Sequence, residues 1–385
     1  MRVLILTALF PPEPVVSSMM SKDLYEELKK RGHEVRVFCP RPSRPLGFRH
    51  GTRKTDSNVI TSKSYVAYGG GVLRRFLESF SFGWSSGLFI LKKYKDFDII
   101  YQNSWPLFGQ GLAVIAARLK GVPIVTHIQD VYPESLQGKM PLWRGLRFLD
   151  RFIVRNSKGI IVNNDIVNKY IVDSRRTQDE KVVTVSNWQD ENSFQPYFPL
   201  KVGTETKTKT LMYLGNIGPL ANLNMVISSF IKAEVKDWKL VVAGQGTERE
   251  ELFNRFAASN NVSFIDVAEG QVHLVQSSAD LMLLPQKAGT GNNSLPSKLS
   301  AYCLSGRGVF AVCDYDSLVA VNILKYDFGM VCSEPRNLIQ AFKSLESLSN
   351  EEIILMSRNS YKFGSEHLSK KSNLNNLING IIGSS

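Results

Sequence analysis

Cysteine is scarce and unpatterned. Cys39, Cys303, Cys313 and Cys332 are the four in 385 residues, with no C-x-x-C spacing and no histidine cluster beside them. That argues against a disulfide framework and a zinc site, so no metal is expected and a reducing compartment fits better. Long apolar runs are also missing: no stretch of roughly 18 purely apolar residues exists, and no spanning helix is expected. The apolar run Met1–Thr7 stops at Pro11-Pro12. It is too short for the apolar core of a signal peptide and reads as a buried first strand. The loop that follows, residues 8–18, holds no glycine. A G-x-G-x-x-G dinucleotide fingerprint is thus absent there, which weighs against a nicotinamide or flavin enzyme. Glycine and proline are scattered without a period, which removes collagen-like and mucin-like readings. Zinc-finger, RRM and Lys/Arg-rich signatures are lacking, so nucleic acid is not an expected partner.

What is present is an ordinary globular composition, 43% hydrophobic and 21% charged, with a formal net charge of +12. The length suffices for two or three self-sufficient cores. Short Val/Ile runs alternate with helical patterns, the signature of a parallel sheet covered by helices. Strands are read at 2–7, 34–38, 98–101, 122–126, 159–162 and 181–185. A helix carries Met20, Leu24 and Leu28 and stops at Gly32. Residues 191–209 hold Pro196, Pro199 and an alternating Thr/Lys tract without apolar period, and read as a linker. A second series follows at 211–214, 240–243, 262–265, 281–284 and 309–312. The expected fold is α/β: two Rossmann-like, doubly wound domains facing a cleft. Their boundaries are 1–190, a linker 191–209, and 210–349, with 350–385 returning as helix to the first domain.

Several segments carry chemistry, each with a plainer alternative. Ser17 and Ser18 offer N-cap hydroxyls and free N–H groups to an anion, or simply cap a helix. Gly244-Gln245-Gly246 makes a G-x-G turn after a strand, either a ligand cradle or a tight turn. Pro296-Ser297-Lys298 opens a helix, and a lysine there suits a phosphate better than the macrodipole; the alternative is a solvated lysine. His127 ends a strand beside Asp130 and Glu134, a candidate site, although a lone histidine is more often structural. Arg41, Arg44, Arg49, His50, Arg53 and Lys54 lie in a loop of the first domain. Arg74 and Arg75 precede the uncharged segment 79–91, with Phe80, Phe82, Trp84 and Phe89, which Lys92 and Lys93 close. Aromatic residues with basic flanks fit a membrane surface, or a core helix with solvated ends.

Taken in order, these pieces resemble the retaining GT-B glycosyltransferases of family four, particularly bacterial members that build capsule, O-antigen, lipopolysaccharide and related envelope glycans. The segments are Phe10-Pro11-Pro12-Glu13, Arg31-Gly32-His33-Glu34-Val35, His127 through Glu134, Asn187-Trp188-Gln189-Asp190, Tyr213-Leu214-Gly215-Asn216-Ile217-Gly218, Ala243 to Gly246, and Pro296-Ser297-Lys298-Leu299. The resemblance spans nearly the whole length and implies a nucleotide-diphosphate sugar, UDP favoured, bound mainly by the C-terminal domain. Transfer would retain configuration by front-side attack, with no cofactor and no dedicated metal. It implies that His127 touches the donor sugar and Asp130 orients sugar or acceptor. Gly215, Asn216 and Gly218 would line the diphosphate, facing Ser297 and Lys298, and Gly244 and Gln245 would lie near the nucleoside. Glu13, Ser17 and Ser18 fall on the acceptor side. Asn293 and Ala301 replace two glutamates common in the family, and Ala221-Asn222 replaces its K-G, which puts weight on Lys298. The basic first domain and aromatic segment imply a polyprenyl-diphosphate-linked glycan acceptor. They also imply a peripheral position on the inner face of the cytoplasmic membrane. Two rivals stand: a nucleotide-sugar epimerase, and a non-catalytic nucleotide-sugar-binding subunit.

Overall fold

The computed structural model describes residues 1–13, 15–44, 56–67, 71–105, 107–132, 143–194, 208–268, 270–287 and 295–383. Among the expected site residues, Asn293 and Glu134 lie outside this set, as do Arg49, His50, Arg53 and Lys54. The chain divides into two compact units, Met1–Ser186 with Leu374–Ser385, and Asn187–Asn373.

In the first unit the order is β1 (Arg2–Thr7), α1 (Val16–Lys30), β2 (Glu34–Cys39), β3 (Val59–Thr61), α2 (Val72–Lys93) and β4 (Ile99–Asn103). Then come α3 (Phe108–Lys120), β5 (Ile124–Ile128), α4 (Trp143–Asn156), β6 (Gly159–Val162), α5 (Asp165–Arg175) and β7 (Val182–Thr184). All seven strands are parallel, in the order β3-β2-β1-β4-β5-β6-β7. Every residue of β4 and β5 is buried, as a sheet covered on both faces requires. The edge strand β3 is missing from the sequence reading: three residues are too few to show a period. α1 ends at Arg31 and Gly32, whose φ of 83° favours glycine. Its N-cap is Val15, with no side-chain cap. Ser17 and Ser18 sit inside the first turn, so the hydroxyl capping expected of them does not occur.

The segment 79–91 is buried along one face of α2 and exposed along the other. Phe82, Ser86 and Ile90 are buried on one face of α2. A Cβ on Gly83 would lie 2.7 Å from the Phe108 carbonyl oxygen, so α2 meets α3 almost backbone to backbone. On the opposite face Leu73, Leu77, Phe80, Trp84 and Leu88 are exposed, Trp84 by 57%. Spacings of three and four residues put them in one stripe.

The second unit runs β8 (Lys209–Leu214), α6 (Leu223–Ala233), β9 (Trp238–Ala243), α7 (Arg249–Phe256), β10 (Val262–Ile265), α8 (Val272–Ser277) and β11 (Leu281–Pro285). It continues with α9 (Ser297–Leu304), β12 (Gly308–Val312), α10 (Leu318–Tyr326), β13 (Gly329–Cys332), α11 (Leu338–Lys343) and α12 (Asn350–Phe363); α13 (Lys370–Ile382) starts in this unit, and its residues from Leu374 onward group with the first. Its six strands are again parallel, ordered β10-β9-β8-β11-β12-β13. Alternate residues feed opposite cores: Leu211, Tyr213, Leu240 and Val242 one side, Met212, Leu214, Val241 and Ala243 the other.

The C-terminal segment corrects the expected boundaries. α12 belongs to the second unit: Ser360 Oγ donates to the Arg307 carbonyl at 2.7 Å, and Gly364 lets the chain approach Cys303. Only 374–385 group with the first unit. There Leu377, Ile378 and Ile381 are buried, Gly380 lies over Val183, and Arg31 donates to Asn375 Oδ1. At the other border Asn187–Asp190 fall with the second unit. Gln189 pairs with Ser369, and Glu191 accepts from the Lys370 N–H at 2.8 Å. Residues 195–207 of the expected linker lie outside the described residues.

Candidate functional site

Open α/β sheets bind ligands beyond the carboxyl ends of their strands, where strand order reverses. In the first unit that point is between β1 and β4. Register sets its floor: Thr7 pairs with Asn103, and Gln102 with Thr126, which carries His127 to the same level one residue on. A cavity of about 160 Å³ opens here, bordered by Thr7, Ser17, Asn103, His127, Gln129 and Asp130. Ser104, Trp105 and Gln110, from the loop after β4 and the start of α3, complete the wall.

His127 is 1% exposed, and burial lowers its pKa to about 4, so the ring is neutral at pH 7. Nδ1 lies 2.7 Å from the Tyr101 hydroxyl. Nε2 has no partner among the described residues, nor do Ser104 Oγ, Trp105 Nε1 and Gln129 Nε2. So many unsatisfied buried groups around one small space mark a place built for a polar ligand or ordered water. Asp130 stands at the exposed rim, and desolvation by the surrounding protein raises its carboxyl pKa. Ser17 Oγ donates to Gln129 Oε1 at 3.3 Å. Ser18 is fully buried with its hydroxyl unpartnered among the described residues, and it does not border this cavity.

Glu13, expected on the acceptor side, does not border this cavity. It is 1% exposed, and its carboxylate accepts from the N–H groups of Phe10 at 3.2 Å, Ser43 at 2.7 Å and Arg44 at 2.9 Å. Those bonds clamp the loop after β1 to the segment after β2. Its oxygens are consumed in holding backbone.

In the second unit strand order reverses between β8 and β11. Lys298 enters from the first turn of α9, where Pro296 is the N-cap and Ser297 the first helical residue. Its Nζ donates to the Tyr213 hydroxyl, which in turn donates to the Asn216 carbonyl. The lysine stem crosses so closely over Gly215 that a Cβ there would lie 2.3 Å from Lys298 Cε. The φ of 149° favours glycine at Gly215, and a side chain there would displace the lysine. Desolvation lowers the Lys298 pKa to about 8 and pushes Tyr213 up to about 12. No carboxylate forms an ion pair with this ammonium among the described residues. A half-buried cation with spare N–H donors and no counter-ion suits an incoming anion.

The G-x-G turn has a structural duty. A Cβ on Gly244 would lie 2.3 Å from the Gly215 carbonyl oxygen, and one on Gly246 2.1 Å from that of Ile217. The Ile217 N–H donates to the Gln245 carbonyl at 2.8 Å. These glycines let the loops after β8 and β9 lie against each other, which holds Gly215, exposed Asn216 and buried Gly218 in place. Gln245 Nε2 donates to Asp266 Oδ1, and Arg249 pairs with the same carboxylate at 2.8 Å. Ser297 is exposed, and its carbonyl accepts from Gln189 Nε2 at 2.9 Å.

Each unit thus assembles its own set: His127 and Asp130 with Ser17 in the first, Lys298 with Gly215, Asn216 and the G-x-G turn in the second. Sequence reasoning missed Tyr101, Trp105, Gln110 and Gln129, and passed over the phenol of Tyr213. Only Tyr101 had a legible signal, two residues before the end of a strand and so on the same face as that end.

Comparison with known proteins bears on the fold and on family similarity. The model of the family Glycosyltransferase Family 4 matches residues 19–192. The putative colanic acid biosynthesis glycosyl transferase WcaI of Escherichia coli strain K12 is 24% identical over 416 residues, covering 100% of both chains. HepE of Anabaena, solved in complex with UDP, superposes with a TM-score of 0.66 at 14% identity over 100% of both chains. The apo form of the lipopolysaccharide outer core galactosyltransferase WaaB gives a TM-score of 0.67 at 11% identity, again over 100% of both. At such identities the solved structures speak for the fold alone, two Rossmann-like α/β halves of the GT-B kind. Over residues 19–192, this chain is similar to Glycosyltransferase Family 4.

Proposed function

We propose that the protein is a retaining glycosyltransferase of envelope polysaccharide assembly. It would take a hexosyl or N-acetylhexosaminyl group from a nucleotide-diphosphate sugar, UDP favoured, to a lipid-linked glycan acceptor. One observation carries this reading: the ammonium of Lys298, without a counter-ion among the described residues, held over Gly215 by Tyr213 at the switch point of the second sheet. That is a seat for a diphosphate. The similarity to WcaI and WaaB supports the polysaccharide context, and the UDP held by HepE supports the nucleotide.

The chemistry asked of these groups is modest. The bond from the anomeric carbon to the leaving phosphate oxygen breaks, and the acceptor oxygen bonds to that carbon on the same face. The acceptor proton passes to a phosphate oxygen. Lys298 and the N–H groups near Gly215 stabilise charge gathering on the diphosphate, where a charge-assisted hydrogen bond contributes ~1.5–3 kcal/mol. Neutral His127 positions a sugar hydroxyl and takes no proton. Asp130 orients sugar or acceptor at the rim.

The epimerase rival loses ground on the same geometry. It needs an acid and a base, and Asp130 is the one carboxylate bordering the first-unit cavity among the described residues, Glu13 being engaged elsewhere by three backbone N–H groups. The exposed stripe of α2, between Arg74 and Arg75 at one end and Lys92 and Lys93 at the other, supports docking to an anionic membrane surface. No helix among the described residues is long and apolar enough to cross a membrane.

The test is incubation with radiolabelled nucleotide sugars and bacterial membrane lipid. Label in lipid means transfer, an altered free sugar nucleotide means epimerisation, and binding without turnover means a non-catalytic subunit. His127→Ala and Lys298→Ala are each expected to cut lipid labelling strongly with the fold intact. Near-normal rates in both would defeat the site assignment.

A further inference from the structure

His127 has two ring nitrogens, and the structure shows a partner for only one. Nδ1 meets the Tyr101 hydroxyl at 2.7 Å; Nε2 meets nothing among the described residues. Tyr101 is 2% exposed, and Nδ1 is the hydrogen-bond contact of its hydroxyl among the described residues. The two residues face each other because both lie on one face of the sheet: Tyr101 precedes Asn103 by two on β4, and His127 is at the level of Asn103 on β5.

A neutral imidazole carries one proton, on either nitrogen. If Nδ1–H donated to the tyrosine oxygen, the phenolic proton would be stranded in the core and Nε2 would be left as a bare lone pair. If the phenol donates, its proton is used, Nδ1 is satisfied, and a single donor at Nε2 remains for a ligand. The second arrangement leaves fewer buried groups unpaired.

We infer that Tyr101 is a positioning residue whose O–H donates to Nδ1 of His127 and locks the ring proton on Nε2, so that the ring offers a hydrogen-bond donor and not a base to the cavity. Phenol donation gives the ring a fixed tautomer, as the partner of one imidazole nitrogen sets the state of the other. The consequence reaches beyond one residue. Trp105 Nε1–H and Gln129 Nε2–H also border this cavity without partners among the described residues. With Nε2–H of His127 they make three N–H donors around about 160 Å³. Such a wall selects a ligand rich in acceptor oxygens, a polyol face of a sugar, with the Asp130 carboxylate at the rim to accept one hydroxyl proton. That last step rests on the glycosyl-transfer reading; the tautomer does not.

The test is nitrogen-15 NMR of protein labelled in its histidine rings. The long-range couplings between ring nitrogens and carbon-bound ring protons report which nitrogen is protonated. His127→Gln assigns the residue by loss of its peaks among the five histidines. Native protein at pH 7 should show a protonated Nε2 and a bare Nδ1 as one tautomer. Tyr101→Phe keeps the ring and removes the donor, and the Nδ1–H population of His127 should rise several-fold with far-UV circular dichroism unchanged. A protonated Nδ1 in the native protein overturns the inference, as does an unaltered pattern in Tyr101→Phe. Should that variant fail to fold, the native spectrum alone still decides. No sugar nucleotide is present, so this experiment and the transfer assay succeed or fail independently.

Discussion

Raising the pH should weaken nucleoside diphosphate binding, because Lys298 titrates within reach. Desolvation brings its pKa in the free protein to about 8, so it is about 90% charged at pH 7 and about 10% at pH 9. A bound diphosphate restores charge to the lysine and lifts that pKa again, so the binding-competent state is the ammonium form. Apparent affinity scales with the competent fraction. It should therefore fall about tenfold between pH 7 and pH 9, lost as pH rises through the free-protein pKa. The terminal phosphate, with its last pKa about 6, is already mostly ionised at pH 7 and gains only a little more charge above it, and Tyr213, pushed up to about 12, stays a neutral phenol. Isothermal titration calorimetry with UDP at half-unit steps measures the slope directly. Lys298→Met should bind weakly with no slope. Lys298→Arg, charged at every pH used, should also be flat. A level profile in the native protein, or the same slope in Lys298→Met, would refute the assignment of this amine to the diphosphate.

Gly244→Ala forces a Cβ to within 2.3 Å of the Gly215 oxygen at a φ of 120°. It should cost upward of about 2 kcal/mol, read as a lower urea midpoint. Glu13→Gln leaves one acceptor oxygen facing three backbone N–H groups and sets an amide against the rest. A loss of about 2–3 kcal/mol is expected by urea denaturation, with UDP affinity unchanged. Trp84→Ser with Leu88→Ser should abolish flotation with anionic liposomes at low salt while leaving UDP binding intact. Failure of the native protein to float would dismiss the α2 stripe as an anchor.

The α/β series was legible because buried parallel strands are near-continuous Val/Ile runs. β1, β6, β10 and α12 lie at the residues the sequence indicated. The edge strands β3 and β13 were not, since short, half-covered strands carry no such run. The destination of the C-terminal chain was equally hidden. An amphipathic pattern announces a buried face without naming what it is buried against, and α12 found β12 and α9 of its own unit.

At the site the division is similar. The motif residues from Gly215 to Lys298 could be picked out because glycine turns and a lysine at a helix start are local features. That Gly244 exists to admit Gly215, and that Lys298 leans on Tyr213, are contacts between residues far apart in the chain. Composition and periodicity determined two layered α/β halves and where their loops fall. Packing decided the rest: the roles of Glu13 and Tyr101, the charge state of Lys298, and the neutrality of His127. Desolvation and hydrogen-bond geometry set these, and both depend on which distant strands become neighbours.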